Sequence, residues 1–105
     1  MSALRRYEIL LPLLFNNGEP VPEELIGQTL LELRQQFHGI SSESQVIHGY
    51  WEHEGRLYRD DLVRVFVDAE DNEESRRFFV RWKEALKIRF GQVEVWITAH
   101  PVERI

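Results

Sequence analysis

Residues 46–68 read Val46-Ile47-His48-Gly49-Tyr50-Trp51-Glu52-His53-Glu54-Gly55-Arg56-Leu57-Tyr58-Arg59-Asp60-Asp61-Leu62-Val63-Arg64-Val65-Phe66-Val67-Asp68. Glu54-Gly55 fits a two-residue turn, because glycine accepts the positive φ that the second turn position requires. Counting outward pairs His53 with Arg56, Trp51 with Tyr58 and Gly49 with Asp60 on one face. The other face pairs Glu52 with Leu57, Tyr50 with Arg59 and His48 with Asp61. Further on, Val63, Val65 and Val67 alternate with Leu62, Arg64 and Phe66, the period of a strand. The stretch therefore reads as a hairpin of strands Val46–His53 and Arg56–Asp68. A bulge at Asp60-Asp61 would shift its register.

Before the hairpin, residues 5–11 read as a strand with Tyr7, Ile9 and Leu11 on one face, ended by Pro12 and the turn Asn16-Asn17-Gly18. Pro22 suits the first turn of a helix, and Glu23 and Glu24 suit its positive start. Leu25, Ile26, Leu30, Leu33 and Phe37 form its apolar stripe. Gly39 is the expected left-handed cap, Gly27 the expected point of close approach to the sheet, and Ser41–Gln45 a polar loop.

After the hairpin, Asp71 and Glu74 have the spacing of a capping box. Phe79, Trp82, Leu86 and Phe90 make an inward stripe, supported by Phe78 and Ala85, and Gly91 stops the helix. Val93, Val95 and Ile97 alternate with Glu94, Trp96 and Thr98 in a last strand, which His100-Pro101 leaves. The order β-α-β-β-α-β predicts an α+β, ferredoxin-like sandwich: a four-stranded antiparallel sheet with two helices on one face. The whole chain, 1–105, is expected to be one such domain.

Composition narrows the function. The 105 residues hold no cysteine, which excludes disulfides and thiolate chemistry and fits a cytoplasmic protein. No apolar run is long enough for a membrane span, and the N-terminus has no signal-peptide pattern. A net charge of −5, with scattered basic residues, opposes binding to nucleic acid. His48 and His53 are five apart and point to opposite faces of a strand, so no metal site is expected. Neither a phosphate loop nor a nucleophile elbow is present, and no cofactor is implied.

Two places remain. With the valines facing the helices, the open sheet face carries Leu10, Leu62, Phe66 and Trp96 inside a rim of Glu8, Arg64 and Glu94. An apolar patch of this kind suits a partner surface, most simply a two-fold homodimer. On the hairpin, Trp51 against Tyr58 either stiffens an arm, clamps a ligand or enters a second subunit. His48 opposite Asp61 is the one pairing with the makings of a catalyst, since a carboxylate can orient an imidazole for proton transfer. Tyr50 and Arg59, one pair along, would contact a substrate.

The segments Gly49–Asp61, Phe90-Gly91-Gln92-Val93-Glu94-Val95-Trp96 and Leu11–Gly18 resemble a group of short uncharacterised bacterial proteins. That resemblance implies a bacterial source and brings no activity, cofactor or catalytic residue with it. The expected function is a homodimeric interaction or regulatory module without catalytic activity, with a second protein as a possible partner. The alternative is a cofactor-free isomerase or lyase with His48 as base and Asp61 as its orienter.

Overall fold

The computed structural model describes residues 3–43 and 45–105; Met1 and Ser2, and Ser44 of the polar loop, lie outside the described residues. Its elements are β1 (Leu4–Pro12), α1 (Glu23–Phe37), β2 (Ser41–Ser42), β3 (Ile47–His53), β4 (Arg56–Glu70), α2 (Glu73–Arg89) and β5 (Ile97–Val102). The strands pair antiparallel in the order β2-β4-β1-β5, with β3 also on β4. β2 and β3 share one edge of β4. Ser42 faces Val65, Ile47 faces Leu62, and the Glu43 N–H donates to the Arg64 carbonyl between them. The strand expected over Val46–His53 is β3, which begins at Ile47, while β2 adds a short strand inside the expected polar loop Ser41–Gln45, so five strands fill four positions of a ferredoxin-like sandwich.

The helix-side face of the sheet carries Tyr7, Ile9, Leu11, Val65, Val67 and Ala69, all buried. Phe79, Trp82 and Leu86 of α2, Phe90 at its C-cap and Leu33 of α1 close over them. Tyr7 stacks on Phe79 at 4.0 Å between ring centres, and Phe79 stacks in turn on Phe37 at 5.3 Å. This aromatic layer is the centre of the core.

Four local expectations change. The left-handed cap of α1 is His38 (φ 64), not Gly39, and its N–H donates to the Arg34 carbonyl. Gly27 is exposed, and a Cβ there would meet nothing within 4 Å. The N-cap of α2 is Asn72, whose side chain accepts the Ser75 N–H, while Asp71 pairs with Arg5. The last strand begins at Ile97 rather than Val93 and runs through Pro101, which is tolerated because β5 is an edge. Val93 is half exposed, yet Val95 still reaches the core.

β1 accompanies β4 only as far as the pair Pro12 and Leu62. Beyond Leu62 the hairpin continues as a two-stranded arm with the register counted from Glu54-Gly55, without a bulge at Asp60-Asp61. Glu54 (φ 52) and Gly55 (φ 75) are both left-handed, the turn geometry that matches strand twist. The arm makes the molecule long, 46 Å by 29 Å by 25 Å. Its radius of gyration, 14.3 Å, exceeds the roughly 13 Å usual for this length.

Candidate functional site

The open face of the sheet is divided rather than continuous. At one end, Phe66 lies between two guanidinium groups, with Arg6 at 4.6 Å and Arg64 at 5.5 Å from its ring centre. Arg6 is held by both oxygens of Asp68, at 2.8 and 3.0 Å. The Arg6 hydrogen bonds keep the Asp68 carboxyl below the usual aspartate range, against the opposing effect of burial. Arg64 reaches Glu8 at 3.3 Å and also Glu43. Phe66 is therefore roofed by charge and separated from the other three patch residues.

Those three meet at the base of the arm. Leu10, Leu62 and Trp96 line a groove of about 380 Å³, together with Pro12 and Gly49. The Leu10 N–H donates to the Trp96 carbonyl at 3.0 Å, which carries the β1–β5 register one step past β5. Trp96 itself is 62% exposed. Gly49 matters to this floor, because a Cβ on it would come within 3.2 Å of Leu62 Cδ1. The arm supplies one wall: Trp51, stacked on Tyr58 at 4.4 Å, with its indole N–H donating to Asp60 at 2.5 Å. The segment before β5 supplies the other, with Gln92 and Glu94. Glu94 pairs with Lys83 at 2.9 Å, which holds its carboxyl below the usual glutamate range.

His48, Asp61, Tyr50 and Arg59 come together on the opposite face of the arm. His48 Nδ1 lies 2.7 Å from Asp61 Oδ1. Arg59 Nη2 lies 3.3 Å from the same His48 nitrogen and 3.7 Å from the Asp61 oxygen. Nδ1 cannot donate to Asp61 and accept from Arg59 at once, and the shorter contact assigns the proton to the Asp61 bond. Both His48 and Arg59 are more than half exposed. The groove is lined by none of His48, Arg59 and Asp61, so the pair and the cavity are separate features, although Tyr50 also borders the groove. Among the described residues no three His, Asp or Glu side chains are gathered as for a metal ion. No described helix is long and apolar enough to cross a membrane.

Sequence reasoning found Leu10, Leu62 and Trp96 but missed the groove they share with Pro12, Gly49, Asp60 and Gln92. These come from four separated segments, and only the sheet register brings them together. The one available signal was Gly49, a glycine inside a strand, which often marks a close approach.

No protein-family model matches the chain, and no curated protein matches it. Solved structures do. A phage SAM lyase in complex with S-methyl-5′-thioadenosine is similar with a TM-score of 0.69 and 15% identity, over 96% of this chain and 83% of that one. The divalent cation tolerance protein CutA1 from Thermus thermophilus has a TM-score of 0.63 and 14% identity, over 96% and 85%. CutA1 from Oryza sativa has 0.64 and 10%, over 98% and 83%. The likeness is one of fold.

Proposed function

We propose that the chain is a homo-oligomeric interaction module without catalytic activity, acting in a bacterial cytoplasm, whose arm docks on a second copy. The observation that carries this reading is the arm's helix-side face. Tyr50 and Leu57 stand there 66% and 65% exposed, on a hairpin whose β3 edge has no strand beside it among the described residues. A two-stranded ribbon is marginal by itself, and an unpaired edge is a template for another chain. A second copy would cover both the apolar side chains and the edge, most simply about a two-fold axis. Leu10, Leu62 and Trp96 stay available beside such a contact, whereas Phe66 lies under its arginines. Sedimentation equilibrium tests the reading. Wild type should run at twice the chain mass or more, and Tyr50→Glu with Leu57→Glu should run as single chains. Wild type at single-chain mass throughout the micromolar range would contradict it.

A second reading, a cofactor-free isomerase or lyase, draws on the His48–Asp61 contact and on the similarity to the SAM lyase. His48 would be the base, Asp61 its orienter, and Tyr50 or Arg59 the substrate contact. The open position of the cluster favours the first reading, since proton transfer gains from walls that exclude water. Incubation with SAM should leave it unchanged; turnover abolished by His48→Ala would reverse the preference.

A further inference from the structure

We infer that the groove on the open face, between Trp51 and Trp96, binds a small organic cation with an apolar body. The inference does not rest on the docking of the arm: of the two docking residues Tyr50 also lines the groove and Leu57 does not, and neither carries the inference. The groove's volume of about 380 Å³ is that of a small-molecule site, and its floor of Leu10, Pro12 and Leu62 is apolar. Among the described residues, the charged ones in its lining are Asp60 and Glu94, with no lysine, arginine or histidine. Lys83 offsets Glu94 from outside the lining, which leaves Asp60 as the uncompensated charge. Among the described residues, no basic side chain forms an ion pair with Asp60; it accepts only the Trp51 indole N–H, which fixes that ring at the groove wall.

This combination selects by sign. The face of an indole attracts a cation through its quadrupole, and a nearby carboxylate does the same through its charge. An anion would meet Asp60 with nothing to offset it. A neutral apolar molecule would gain the floor contacts but neither of the electrostatic ones. Inorganic cations are poorly served, because an apolar floor cannot replace their hydration shells. A quaternary ammonium group on an aromatic or aliphatic body matches every part of the lining.

The three tryptophans make the test internal. Trp51 and Trp96 line the groove, whereas Trp82 is buried in the core with its indole N–H on Glu32. Titration of the ¹⁵N-labelled full chain with benzyltrimethylammonium should shift the indole signals of Trp51 and Trp96 saturably and leave Trp82 in place. Benzyl alcohol and benzenesulfonate should bind more weakly. Asp60→Asn keeps an acceptor for Trp51 while removing the charge, and should weaken binding of the cation by about tenfold. An unmoved Trp82 signal in that variant certifies its fold. No saturable shift up to tens of millimolar, an equal response to benzenesulfonate, or unaltered binding in Asp60→Asn would overturn the inference. Saturable binding to a protein that sediments as single chains would uphold this site and remove only the assembly proposal.

Discussion

The indole N–H of Trp82 on α2 donates to the Glu32 carboxylate on α1 at 2.9 Å, which joins the two helices above the aromatic core. Arg89 completes the link, donating to the second Glu32 oxygen at 2.8 Å and to the Thr29 hydroxyl at 2.9 Å. Trp82 is only 6% exposed, so truncation would open a cavity and unpair part of this network. Trp82→Ala should cost about 3–5 kcal/mol, read by urea denaturation. A loss below about 1 kcal/mol would mean that α2 does not pack through this stripe.

The same network predicts an acid sensitivity. Arg89, with help from Trp82 and Gln28, holds the Glu32 carboxyl below the usual glutamate range despite partial burial. A lowered folded pKa means that the stabilisation is full above the unfolded pKa, about 4.3, and is lost as pH falls through the folded value. Glu32→Gln should therefore be less stable than wild type at neutral pH, with the difference shrinking under acid. Thermal unfolding of both proteins across that range reads the outcome, and a difference constant with pH would contradict it.

Gly27 offers a stabilising substitution. It lies inside α1 in open space, so a methyl group meets no steric obstacle. Gly27→Ala should raise stability by about 0.5–1 kcal/mol by reducing the freedom of the unfolded chain. A loss of stability would show that the helix is packed there after all.

The start of α2 separates two neighbours. Asn72→Ala removes the cap on the Ser75 N–H and should cost about 1 kcal/mol, read by urea denaturation. Asp71→Ala breaks only the exposed pair with Arg5, where about 0.5 kcal/mol or less is expected. The reverse order of the two effects would restore Asp71 as the cap.

What the sequence disclosed follows from how local each determinant is. The hairpin register was legible because one short turn fixes every pair from His53 with Arg56 to His48 with Asp61. The stripe Phe79, Trp82, Leu86 and Phe90 was legible because helical period and burial coincide. The last strand was misplaced because alternating Val93, Val95 and Ile97 resemble a strand, whereas backbone pairing with β1 decides where β5 runs. Gly39 gave way to His38 because a cap is set by where the last turn ends. The division of the open face was invisible because the arginines over Phe66 belong to two strands and act through the register between them.

Contact of Tyr50 and Leu57 with another copy of the chain is tested most directly by isotope-filtered nuclear Overhauser measurements on an equimolar mixture of ¹³C-labelled and unlabelled protein. Intermolecular effects are expected at the Leu57 methyl groups and the Tyr50 ring, lost on Leu57→Glu. Intermolecular effects confined to other surfaces, or none at millimolar protein, would contradict the docking of the arm.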